Sequence, residues 1–162
     1  MEATAYLTQQ HRQLEAALRE ALAADDPAIK RSRFLDIADA LIMHIAAEEQ
    51  VFYPAVHAQP NEDVLLESLE EHLSIKRLLS DLLTLRGDDA TFQAKLHVLR
   101  EQAEHHHKDE ERKLFPAVRE AFDDAARAEI GAAMARLELQ MQAHGKPRRE
   151  VHGQTLAAQP LR

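Results

Sequence analysis

The chain has 162 residues, a formal net charge of -8 and no Cys, so disulfides, thiolate metal sites and thiol chemistry are excluded. Its acidic balance argues against nucleic acid as the main partner, and no apolar run approaches the roughly 20 residues that cross a bilayer. Ala, Leu, Glu and Arg dominate while Gly, Pro and aromatics are scarce, which favours helix throughout; ten His are the one compositional oddity.

A first helix is expected from about Thr4 to Ala24, with Leu7, His11, Leu14, Leu18 and Leu22 forming a core-facing stripe. Asp25-Asp26-Pro27 stops it and starts a second, whose stripe is Phe34, Ile37, Leu41, His44, Glu48 and Phe52; Pro54 should end or kink that helix near Tyr53. Gln59-Pro60-Asn61 reads as the central connection, with Asn61 as N-cap. The third helix runs to about Arg86 through Leu65, Leu69, His72, Ile75, Leu79 and Leu83, and Gly87-Asp88-Asp89 makes the next turn. A fourth carries Phe92, Leu96, Leu99, Ala103, His106, Glu110 and Leu114 and stops before Pro116. A fifth, Ala-rich helix spans about Asp124 to Ala143, with Ile130, Met134, Leu137 and Met141 on its apolar face. The pattern predicts an all-α fold: an antiparallel up-down-up-down four-helix bundle over residues 1–122, an additional helix packed on it over 123–144, and a tail from 145 to 162 that is loose or lies on the surface. The start, Met1-Glu2-Ala3-Thr4-Ala5-Tyr6, has no basic segment or apolar run, so a cytoplasmic protein without a signal peptide is expected.

Two stretches carry the chemistry. His44-Ile45-Ala46-Ala47-Glu48-Glu49 leads to Tyr53-Pro54-Ala55-Val56, and His106-His107-Lys108-Asp109-Glu110-Glu111 leads to Phe115-Pro116-Ala117-Val118. In each, a His and a Glu four residues apart project from one helix face, about 40° apart and roughly 6 Å along the axis. Helices one and three each add a lone stripe His, and the steps from His11 to His44 and from His72 to His106 are 33 and 34 residues. The chain thus reads as two similar helical hairpins whose four His and two Glu meet near the bundle axis. A carboxylate on an apolar stripe is costly without a cation. Imidazole and carboxylate without thiolate suit iron, manganese or zinc, and two Glu able to bridge favour a dinuclear centre with open positions for small ligands.

These residues resemble the hemerythrin-like proteins with a His-His-Glu cation-binding domain. The matching pieces are His11 within Gln10-His11-Arg12-Gln13-Leu14, His44 with Glu48, His72 after Glu70-Glu71, His106 with Glu110, and both Pro-containing extensions, over roughly Thr4 to Val118. The resemblance implies a bundle around two non-haem iron ions, joined by an oxo or hydroxo group, that binds or processes hydrogen peroxide, dioxygen or nitric oxide. The chain departs from oxygen-carrying hemerythrins at Lys76, where they have a second His. That departure makes reversible dioxygen carriage less favoured than peroxide or nitric oxide reactivity, and Tyr53 is a candidate substitute ligand.

Among the neighbours, His105 and His107 are expected to flank the site or face solvent, and Glu49 and Glu111 to face outward or orient a ligand His. His57, His97, His144 and His152 have no partner pattern and are read as solvent-facing, as is Arg148-Arg149. The leading function is a di-iron protein handling small oxidants, with catalase-like turnover as its enzymatic form. The alternative is an iron-binding or iron- and oxygen-sensing module, with a metal-free structural bundle third. A ferritin-like oxidase would use Glu-x-x-His and more carboxylates, and a zinc hydrolase would carry His-Glu-x-x-His; neither pattern occurs.

Overall fold

The computed structural model describes residues 1–58 and 61–162; Gln59 and Pro60 of the expected central connection lie outside the described residues. Four long helices form an antiparallel bundle: α1 (Ala3–Ala23), α2 (Pro27–Ala47), α4 (Glu62–Thr84) and α5 (Phe92–Asp109). Shorter α3 (Tyr53–Val56) and α6 (Phe115–Ala121) extend the second and fourth, and α7 (Asp124–Ala143) is the additional helix. Around the bundle α1 contacts α2 and α5, and α4 contacts α5 and α2, while α7 lies against α1 and α2.

Local chemistry sets these boundaries. The Glu2 carboxylate accepts hydrogen bonds from the Thr4 and Ala5 amides, Asp26 from Ala28 and Ile29 with Pro27 in the first turn, and Asp123 from Ala126. Asn61 holds the N-cap position of α4, but its side chain turns away and donates to the Val56 carbonyl at 3.4 Å. Neither Pro54 nor Pro116 ends its helix. Each is preceded by a widened π turn, Glu48–Phe52 and Glu110–Leu114, closed by a Tyr53 or Phe115 amide donating to the carbonyl of Glu48 or Glu110. A regular α turn would clash the proline ring with the carbonyl four residues back; the extra residue makes room and the helix resumes. Both π turns begin at the glutamates of the two repeated motifs.

The stripe residues pack inward as their periodicity predicts. One apolar cluster joins Leu18, Phe34, Leu41, Leu79, Phe92 and Leu99 towards one end of the bundle, and a second joins Leu7, Phe52, Tyr53, Leu65, Leu114 and Phe115 towards the other. The polar centre lies between them. Gly131 lets α7 close on the start of α1, because a Cβ there would stand 2.3 Å from the Met1 carbonyl oxygen. The last segment is not loose. Pro147–Gln154 forms a 3-10 helix against α2 and α4, with Val151 fully buried in the core. Arg148 is not solvated but pairs with Asp39 at 2.9 Å, and Arg77 donates to the carbonyls of Thr155 and Leu156. Among the described residues no helix is long and apolar enough to cross a membrane.

Candidate metal centre

All six stripe His and Glu converge at the bundle axis and are buried: His11 from α1, His44 from α2, His72 from α4, His106 from α5, and Glu48 and Glu110 from the π turns. Glu48 faces both halves of the cluster. Its Oε1 lies 3.1 Å from His44 Nε2 and 3.8 Å from His11 Nε2, and its Oε2 lies 2.9 Å from His72 Nε2 and 3.6 Å from His106 Nε2. Glu110 Oε1 stands 3.5 Å from His11 Nε2 and 3.2 Å from His106 Nε2. The Tyr53 hydroxyl enters the same space, donating to Glu110 Oε2 at 2.8 Å and lying 3.2 Å from Glu48 Oε2 and 3.4 Å from His72 Nε2.

Every inward-facing imidazole is held from behind. The Nδ1 atoms of His11, His72 and His106 lie 3.2, 3.0 and 2.9 Å from carboxylate oxygens of Glu111, Glu49 and Glu71, and His44 Nδ1 lies 2.8 Å from Gln10 Oε1. These oxygens can only accept, so each Nδ1 carries hydrogen. Each Nε2 can then present a lone pair to the centre, as a metal-ligating His requires. Glu49 and Glu111 therefore orient His72 and His11, in line with one of the roles their positions allow.

The donor set fits a cation. Among the described residues His11 Nε2, His44 Nε2, Glu48 Oε1 and Glu110 Oε1 are buried without a hydrogen-bond partner, and they converge on one point. Such orphaned atoms cost about 1–3 kcal/mol each, more when charged, unless something fills the space between them. Glu48, His72 and His106 form a second convergent group, in which the two Nε2 atoms approach to 3.0 Å. Two lone pairs so close repel unless a proton or a cation sits between them. Protons are the other occupants these groups can hold. Burial works to lower the pKa of His11, but the Glu110, Glu111 and Glu48 carboxylates outweigh it and hold the imidazole up at about 10. Burial is likewise overcome at His72 by Glu48 and Glu49, and at His106 by Glu110, Glu48 and Glu71. Burial and the Glu48 charge act to raise Glu110, yet His106 and His11 bring it down to about 2. The Tyr53 phenol goes up, through burial and the Glu110 and Glu48 charges.

Three neighbours add to the site. Of the two places open to His107, flanking the site or facing solvent, it takes the first: it is buried and stacks on His11 with ring centroids 3.9 Å apart and planes 7° apart, and its Nδ1 lies 3.2 Å from Glu15 Oε1. Its ligand atom is near those of His11 and His44. The stack braces the His11 ring from one side. Burial, with the nearby His11, His44 and His106 charges, lowers its pKa to about 3 and keeps it neutral. The signal that could have found it is Glu15, four residues after His11 and buried on the same helix; Arg12 then ties Glu15 to Glu111. Lys76 is buried and its ammonium is bound to both Glu49 oxygens at 2.9 and 3.0 Å, so its charge serves the carboxylate that holds His72. Gln10, which holds His44, stands in the matching motif around His11 but had no role assigned to it. His105 is exposed beside Glu71 and Asp109, and His57, His97, His144 and His152 are exposed as expected.

Comparison with known proteins agrees with this arrangement. The model of the hemerythrin HHE cation binding domain matches residues 2–118. The chain belongs to that family. The family is a cation-binding one, and the clustered His and Glu groups are placed so that they could hold a metal ion. A crystal structure of a hemerythrin HHE cation binding domain-containing protein from Mycobacterium kansasii has the same fold, with a TM-score of 0.78, 22% identity, and 96% of this chain and 94% of that one covered. A DNA nickase from Nostoc sp. is 28% identical over 109 residues, 67% of this chain but 31% of the nickase, so the HHE domain spans about a third of that relative's length.

Proposed function

We propose that this HHE domain holds two iron ions and uses them to bind or process a small oxidant, with hydrogen peroxide or nitric oxide favoured over reversible dioxygen carriage. The observation that carries the reading is Glu48, whose two oxygens face separate pairs of imidazole Nε2 atoms, His11 with His44 and His72 with His106. On this reading His11 and His44 would hold one ion and His72 and His106 the other, with Glu48 and Glu110 supplying carboxylate oxygens between them. Tyr53 is a further ligand to the second ion or a hydrogen-bond donor beside it. Iron bound here supplies reversible one-electron redox chemistry at each of two adjacent positions.

The chain's own contribution is positioning and electrostatics. The rigid four-helix frame sets the distance between the two His pairs, and the apolar clusters on either side exclude water, which strengthens every charge interaction inside. The carboxylates on His11, His72 and His106 add electron density to those imidazoles and so favour the higher charge state of a bound ion. Tyr53, with its pKa raised, keeps its proton and can donate it as a hydrogen bond. His107 is engaged by Glu15 and Lys76 by Glu49, so neither is free as a general base. The arrangement suits redox chemistry directly on bound iron better than acid-base catalysis.

The test is to purify the protein, measure iron and record its visible spectrum before and after adding peroxide. Two irons per chain, a near-ultraviolet and visible di-ferric spectrum, and dioxygen evolution from peroxide support the proposal. Two irons without turnover, with a large metal-dependent stability change, would shift the reading to an iron- or oxygen-sensing module.

A further inference from the structure

Three of the four inward-facing His are backed by a carboxylate, whereas His44 is backed by the neutral amide of Gln10. An amide has a donor end and an acceptor end, and nothing in His44 itself dictates which one faces it. The choice is made from outside the bundle. Gln10 Nε2 donates to both oxygens of Glu138 on α7, at 2.8 and 2.9 Å, and the Tyr6 hydroxyl donates to the same carboxylate. A carboxylate only accepts, so the amino end of Gln10 must face Glu138 and its carbonyl end must face His44. His44 Nδ1 then has to carry a hydrogen, and Nε2, 3.1 Å from Glu48 Oε1, is the nitrogen left to face the centre.

We propose that Glu138 is a positioning residue for the metal centre, fixing a hydrogen on Nδ1 of His44 through the side-chain amide of Gln10. Glu138 lies outside residues 2–118, the part of the chain matched by the family model, so α7 adds to the centre something that the matched region does not contain. Glu138, Gln10 and His44 also line one cleft between α1, α2 and α7, of about 470 Å³, which places the relay beside an opening next to the centre. The proposal rests on the metal reading only for its consequence; the hydrogen on Nδ1 belongs to the metal-free chain, where Nε2 can hold a second one toward Glu48, and it can be read there.

The test compares wild type with Glu138→Gln and Tyr6→Phe. Nitrogen-15 spectra of the imidazoles are recorded on chelator-treated protein, and ferrous iron is titrated in anaerobically. A glutamine at 138 can offer either end of its amide, so Gln10 is free to turn. Its amino end then faces Nδ1, so Nδ1 loses its hydrogen in a substantial fraction of molecules while Nε2 keeps one toward Glu48. The expected result for Glu138→Gln is mixed protonation at His44 Nδ1, unchanged helicity, and about 10-fold weaker binding of one of two iron ions. Tyr6→Phe removes one donor but leaves the carboxylate, so His44 should keep its hydrogen on Nδ1. A fully Nδ1-protonated His44 in Glu138→Gln, or equal disturbance in Tyr6→Phe, would overturn the proposal. Mixed Nδ1 protonation in a protein that binds no iron would uphold the relay while refuting the metal reading.

Discussion

Lys76 and Glu49 offer the sharpest energetic test of how the centre is supported. Both are buried, at 2% and 6% side-chain exposure, with the ammonium 2.9 and 3.0 Å from the two carboxylate oxygens, and Glu49 Oε1 also accepts from His72 Nδ1. Removing one partner of such a pair costs up to about 3–5 kcal/mol, the upper end being reached where no other partner remains; Glu49 keeps its bond from His72. Lys76→Met keeps most of the side-chain volume and removes only the charge, so it isolates that cost. Against a total stability of about 5–15 kcal/mol this is a large loss, and at roughly 2–4 °C per kcal/mol it lowers the melting temperature by up to roughly 6–20 °C. Glu49→Gln keeps a carbonyl oxygen for His72 and removes the opposite charge. In the double variant no charge is stranded, so the loss should be well under the sum of the two singles, with a coupling of about 2 kcal/mol. Urea unfolding of chelator-treated protein measures all four corners without metal linkage. Lys76→Met costing under about 1 kcal/mol, or strictly additive singles, would refute the reasoning.

Further outcomes follow from the same geometry. His106→Ala should sharply reduce iron content, while Glu71→Ala, which leaves the ligand atom and removes its support, should weaken iron binding by about 10- to 100-fold, read by competition with a chelator. If Tyr53 ligates iron as a phenolate, Tyr53→Phe removes a visible charge-transfer band; an unchanged spectrum restricts Tyr53 to hydrogen bonding. The stability of chelator-treated protein should peak near pH 6.5. The pKa of His11, raised to about 10, adds stability that is full below about pH 6.5 and lost as pH rises through 10. His107, lowered to about 3, adds a penalty that is absent above about pH 6.5 and grows as pH falls towards 3. Glu110, lowered to about 2 from 4.5, adds a further loss below 4.5. Iron binding has to displace the protons on His11, His72 and His106, so calorimetry in buffers of different ionisation enthalpy should show proton release at pH 7; no release would contradict this picture.

The bundle and the convergence of the six His and Glu side chains were legible in the sequence because each sits on a long apolar stripe with helical spacing, which leaves one face to bury. What escaped was set by non-local contacts. Pro54 and Pro116 read locally as helix ends, and only the π turns let the chain carry on past them. His107 lies in a run of three His followed by three acids, where four-residue spacing fits every register, so flanking the site and facing solvent both stayed open; its burial is decided by the stack on His11 and by Glu15 across the interface with α1. Val151 is one apolar residue in a polar stretch, so no periodicity announces that it closes the core between α2 and α4. Gln10 and Glu138 matter only through each other, across 128 positions of sequence.

The claim at the centre is that both halves of the chain enclose one shared pair of ions. Anomalous diffraction at the iron edge from crystals of loaded protein tests it directly. Two iron peaks within bonding distance of opposite oxygens of Glu48, one beside His11 and His44 and the other beside His72 and His106, are the expected result. A single peak, or two that share neither Glu48 nor Glu110, would contradict it.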